Sequence, residues 1–124
     1  MNRHDSKEIE KIAEYLDGSE KVLLVAIQAR WLPGGSPITP NTIFATNQKI
    51  IIRNPMFLGL REHIDYYYYK DIINIKCIKG YFTSSLHITA PGMATSARTG
   101  DNEDGVIRAI NKDIAVQIQQ LAKK

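Results

Sequence analysis

Disulfide chemistry, membrane-spanning helices and recognisable catalytic signatures are all missing from this 124-residue chain. Its one cysteine, Cys77, has no partner for an internal disulfide. It lies in an apolar strand pattern, where a reduced, buried thiol of a cytosolic protein is expected. Nowhere does the chain approach the roughly 18 consecutive apolar residues of a membrane helix. No apolar run follows the charged start MNRHDSKEIEK, so no secretory signal is expected either. Cytoplasmic residence follows as the expectation, with any membrane contact peripheral. The net charge of +3 is too small a surplus to predict a specific nucleic-acid partner.

Chemistry is equally sparse. Gly34-Gly35 has no lysine behind it and opens no helix, which excludes a phosphate loop, and no dinucleotide fingerprint occurs. His63 and Asp65 share a strand face and His87 lies on another strand, but no further ligand stands at a recognisable spacing. Ser84, Ser85, His87 and Asp71 are residue types of a hydrolase without a nucleophile elbow to organise them. No cofactor, metal or enzymatic activity is expected.

What the chain has is the composition of one globular domain, 1–124, with 44% hydrophobic and 23% charged residues. Asp5 or Ser6 can cap an N-terminal helix within 1–17, with Ile9, Ile12, Ala13 and Leu16 on its apolar face and a stop at Asp17-Gly18. Strands fill 18–110. Glu20 to Trp31 reads as the longest strand, buried or strongly bent, and LPGGSPITPN after it is a loop with three prolines. Thr42 to Arg53 splits at Asn47-Gln48 into two strands, with Asn47 suited to the left-handed backbone of a tight hairpin. Ile50 and Ile52 face the core, Lys49, Ile51 and Arg53 face the other way, and Asn54-Pro55 ends the strand before an apolar tip at Met56 to Gly59.

In Arg61 to Tyr69 four consecutive tyrosines bring wide ring area and four hydroxyls, so at least one face must reach water or a partner. Asp71 to Thr89, DIINIKCIKGYFTSSLHIT, is a hairpin turning near Lys79-Gly80, with Ile73, Ile75, Leu86 and Ile88 directed to a core. Ala90 to Gly105 is loop with at most one strand near Met93 to Ala97. After Val106 to Ile110, Asn111 caps a terminal helix over 111–124 with Ile114, Ala115, Ile118, Leu121 and Ala122 as its stripe.

Thr46, Asn47, Lys49, Ile50, Ile51 and Ile52, then Tyr69, Asp71, Ile72, Ile75, Gly80, Phe82 and Ser84, form an ordered set of structural positions. Their order resembles the short bacterial pleckstrin-homology-like family of the YokE-like kind, over about residues 18 to 122. The resemblance implies a mainly β fold with helices: a bent antiparallel β-barrel or sandwich capped by the C-terminal helix. It also implies assembly into homo-oligomeric rings. The inositol-phosphate site of eukaryotic relatives needs several convergent cations, whereas Ala29 to Asn41 offers only Arg30.

The expected role is a non-catalytic binding or assembly module that self-associates or recognises another protein through strand edges and apolar loops. The alternative is a peripheral adaptor for an anionic membrane surface. The candidate contact surface comprises Lys49, Arg53, Arg61, Tyr67, Tyr69, Lys70, Lys76 and Lys79, with Trp31 and Phe57 beside the loops.

Overall fold

The computed structural model describes residues 3–29, 40–56, 61–90 and 105–123. Two antiparallel sheets face each other. The first holds β1 (Val22–Ile27), β2 (Thr42–Thr46), β3 (Lys49–Met56) and β4 (Arg61–Tyr68) in that order. The second holds β5 (Asn74–Lys79), β6 (Ser84–Thr89) and β7 (Val106–Ile110). Helix α1 (Arg3–Lys11) precedes the sheets and α2 (Lys112–Ala122) follows them. The expected helix-capped antiparallel architecture is present in its sandwich form, since the sheets do not close into a continuous barrel.

Alternation along the strands explains where the core sits. Ile43 and Ala45 of β2, Ile50 and Ile52 of β3, Ile75 of β5, and Leu86 and Ile88 of β6 all point between the sheets. Helix α2 closes one end of that space with Ala115 and Ile118. The Asn111 side chain accepts a hydrogen bond from Ile114 N at 3.0 Å, the cap that its position in the sequence promised. Asn111→Ala should lower stability by about 1 kcal/mol, measured as a shift in the urea midpoint without a change in slope.

A second core lies outside the first sheet. Phe44 and Ile51, on the opposite faces of their strands, pack with Val25 beneath Ile12 at the end of α1. The face of Lys49, Ile51 and Arg53 is therefore covered, not open as expected: Ile12 packs with Ile51, Glu20 and the Tyr66 and Tyr68 rings enclose Lys49, and Glu62 pairs with Arg53. Thr42 Oγ1 donates to Glu8 Oε1 at 3.1 Å, which ties the helix to β2, and Lys11 pairs with the same carboxylate at 2.7 Å within α1.

Other expectations need correction. Helix α1 begins at Arg3, so Asp5 and Ser6 lie inside it; no glycine or proline upstream interrupts the turn. The first strand is six residues long and shorter than β3 and β4, at eight each. Past Ile27, Gln28 N still donates to Asn41 O beside β2, and the chain changes partners at Ala29, whose N donates to Ala109 O of β7. Pro55 lies within β3, because beyond Arg53 that strand has lost β2 as a neighbour and a missing N–H on that side costs nothing. Asn47 does not adopt a left-handed backbone. The β2–β3 turn is held instead by Thr46 Oγ1, which accepts from Gln48 N and Lys49 N at 3.0 and 2.9 Å. The strand considered near Met93 to Ala97 falls outside the described residues.

Two further positions depart from expectation. Ile73 is 68% exposed, since β5 begins one residue later and the chain is still leaving the short helical turn at Tyr69–Asp71. Cys77 is half-buried, not enclosed, because it stands on an outermost strand. The β5–β6 turn requires its glycine: a Cβ at Gly80 would stand 2.9 Å from the Thr83 carbonyl oxygen, which Gly80 N itself approaches at 2.8 Å.

Candidate functional site

The four tyrosines divide by strand alternation. Tyr66 and Tyr68 lie outside the first sheet with Lys49, while Tyr67 and Tyr69 pack against the main core. Lys49, a candidate for surface contact, is 1% exposed and belongs to a buried network. Its Nζ donates to Glu20 Oε1 at 2.7 Å and sits 5.5 and 5.1 Å from the ring centres of Tyr66 and Tyr68. Glu20 also accepts from Asp17 N at 3.0 Å and from the Thr46 hydroxyl. The Tyr69 hydroxyl donates to Thr46 O at 2.6 Å. This arrangement joins β1's entry, the β2–β3 turn and β4; a ligand has no access to its charges.

The network fixes protonation. Burial opposes the Glu20 charge, but hydrogen bonds from Lys49, Thr46 and Asp17 outweigh it and hold the pKa below the usual carboxylate value. Burial likewise opposes the Lys49 charge, and its bond and attraction to Glu20 prevail, raising its pKa. Burial, with Glu20 nearby, pushes the Tyr69 phenol up to about 12.

The Glu20 contribution to stability is therefore complete above an unfolded value near 4.5 and lost as pH falls through the lower folded one. Those of Lys49 and Tyr69 are complete below unfolded values of 10.5 and 10.0 and lost as pH rises through the folded ones. Tyr69→Phe should cost about 1 kcal/mol at pH 7 and make the urea midpoint fall less steeply between pH 10 and about 12.

The remaining candidates scatter. Arg53 is half-buried and bonded to Glu62 at 2.7 Å, and Arg61 is exposed at the start of β4. Lys70, Lys76 and Lys79 are exposed in and just before the β5–β6 hairpin. Trp31 and Phe57 fall outside the described residues. His63 bonds to Asp65 at 3.1 Å on the surface, and Ser85 Oγ lies 3.4 Å from His87 Nε2. Among the described residues no three His, Cys, Asp or Glu side chains converge as a metal site would require.

A surface the candidate set did not contain surrounds the hairpin tip. Tyr81 and Phe82 pack edge to face with centroids 4.8 Å apart, and they remain 88% and 61% exposed. Ile73 and Ile78 are exposed on the same hairpin. Lys112 Nζ donates to Tyr81 O at 2.7 Å, fastening the tip to the start of α2. Between them opens a cleft of about 470 Å³ lined by Ile27, Ala29, Phe82, Ala109, Lys112 and Asp113. Adjacent aromatic residues directly after Gly80, at a strand connection where polar residues are usual, were the available sequence signal.

A sandwich of this order, with seven strands among the described residues and a capping helix after them, agrees with a family model for the bacterial PH domain that matches residues 7–123. The chain belongs to the bacterial PH domain family. Two solved structures share the fold of this PH domain. One is a DUF1696-family protein with a pleckstrin-homology domain from Shewanella loihica, 13% identical, with a TM-score of 0.56 over 95% of this chain and 92% of that one. The other, a pleckstrin homology domain from Shewanella amazonensis, is 16% identical, with a TM-score of 0.59 over 95% and 97%. A search of curated proteins finds no match to this PH domain. None of its described helices is long and apolar enough to cross a membrane.

Proposed function

We propose that the chain is a non-catalytic protein-recognition module that associates with further copies of itself through the apolar tip of the β5–β6 hairpin. The observation that carries this reading is the exposure of Tyr81 and Phe82 as a packed aromatic pair, with Ile73 and Ile78 exposed on the same hairpin. An exposed aromatic pair of this kind loses unfavourable hydration when a partner covers it. PH-like domains are in general non-catalytic, which suits a role in recognition.

Light scattering across a concentration series tests the proposal. The wild-type chain should give a defined oligomer, and Tyr81→Ser with Phe82→Ser should give a monomer with an unchanged melting temperature. A wild-type protein that stays monomeric throughout would overturn it.

A second reading draws on the exposed Lys76 and Lys79 of the arm that leads to the aromatic tip, with exposed Lys70 before its base: contact with an anionic lipid surface. Vesicles with and without phosphatidylserine, sedimented at low and moderate salt, should then retain the protein only when anionic and more strongly at low salt. Equal retention on both, or none at either salt, removes that reading.

A further inference from the structure

Strand β5 pairs with β6 on one side and with no described strand on the other. Backbone bonding between antiparallel strands alternates, and the Gly80 N to Thr83 O bond sets its phase. The peptide groups of Asn74, Lys76 and Ile78 turn toward β6, and those of Ile75, Cys77 and Lys79 turn outward. The Ile75 carbonyl bears this out by accepting from Gln119 Nε2 of α2 at 3.1 Å. Past that bond, the outward groups of Cys77 and Lys79 have no backbone partner among the described residues.

Open strand edges are commonly blunted by a bulge or a proline. Strand β5 has neither: its register with β6 runs unbroken from Asn74 to Lys79. It carries charge of one sign. Asn74 to Thr89 contains Lys76, Lys79 and His87 and no aspartate or glutamate, with Lys70 exposed just before it. Two β5 strands side by side would gather four lysines with no carboxylate among them. An acidic strand meets the opposite condition, because its charges face lysines across the new ladder.

We infer that the open edge of β5 captures an extended acidic peptide segment of another protein, which adds as a fourth strand to the β5–β6–β7 sheet with carboxylates reaching Lys76 on one face of the sheet and Lys79 on the other. This rests on the reading of the chain as a protein-recognition module, but it uses the β5 backbone and not the aromatic tip. Main-chain bonds supply the affinity in such additions, and the lysines select the sign of charge.

The test is an NMR titration of the full chain with an eight-residue peptide that repeats Glu-Val-Val, so that successive carboxylates fall on opposite faces of the added strand, beside its Lys-Val-Val counterpart. The acidic peptide should bind, shift the amide signals of Cys77 and Lys79, and slow their hydrogen exchange. The basic peptide should not.

Cys77→Pro removes an outward N–H at an edge position that tolerates proline, and should weaken capture about tenfold or more. Lys76→Glu with Lys79→Glu leaves the backbone intact and should transfer preference to the basic peptide. Equal binding of both peptides, signal changes confined to residues outside β5, or undiminished capture by both variants would overturn the inference. So would a wild-type oligomer that Cys77→Pro dissolves, since the edge would then belong to a second copy. A monomer that captures the acidic peptide sinks self-association alone, and a defined oligomer that ignores it sinks the edge inference alone.

Discussion

Lys49→Met is expected to destabilise the protein by about 3–5 kcal/mol, because it leaves the Glu20 carboxylate buried without its counter-charge. Both side chains are almost wholly removed from solvent, so water cannot take the place of the missing ammonium. Asp17 N and the Thr46 hydroxyl still bond to the carboxylate, but neither carries a formal charge. The companion variant, Glu20→Leu with Lys49→Met, replaces the pair by apolar side chains and should recover most of the loss, since the pair's attraction is largely offset by the cost of desolvating both ions.

Urea unfolding of the three proteins measures this directly. The gap between wild type and Lys49→Met should also narrow toward acid pH: the variant gains as its stranded carboxylate takes up a proton, while the wild type loses the contribution of an ionised Glu20. A Lys49→Met protein within 1 kcal/mol or so of wild type at pH 7 would show the charges to be solvated in solution.

Phe44→Ala should cost about 3–5 kcal/mol as well, by a different route. Phe44 is completely buried in the smaller of the two cores, where Ile12, Val25 and Ile51 surround it. Alanine there removes the largest side chain of the cluster and leaves a void that β-sheet backbone cannot collapse to fill. Because α1 is nine residues long and too short to persist alone, its attachment depends on this cluster. Amide exchange in α1 should therefore accelerate more than exchange in β5 and β6, which belong to the other core. Uniform acceleration across both sheets would mean that the two cores unfold as one unit.

Local patterns made much of this fold legible. The alternation of Ile75, Leu86 and Ile88 placed the second sheet's inner face, and Asn111 marked the start of the last helix. The break at Asn47-Gln48 separated β2 from β3, although the turn works through Thr46. What stayed hidden depends on residues distant in sequence. Lys49 looks like a surface cation until Glu20 is brought beside it, and Ile51 looks outward until α1 is laid across the sheet. Pro55 reads as a strand end unless β2 is known to stop short. The candidate surface was legible only in Lys70, Lys76 and Lys79; the aromatic tip was visible as residues, but its exposure follows from the hairpin's running on past the end of β7 at Ile110.

The bond from Ala29 N to Ala109 O joins the strand that opens the first sheet to the one that closes the second. To make it, the chain shifts register between β6 and β7 and holds Ala109 at a φ of 60°, a conformation costly for any residue with a Cβ. During synthesis β1 to β4 leave the ribosome well before Ala109 exists. Their inner-face residues Ile43, Ala45, Ile50 and Ile52 must wait uncovered until β7 and α2 arrive. The nascent four-stranded sheet is thus a period of vulnerability to aggregation, and it ends only once β7 and α2 have followed.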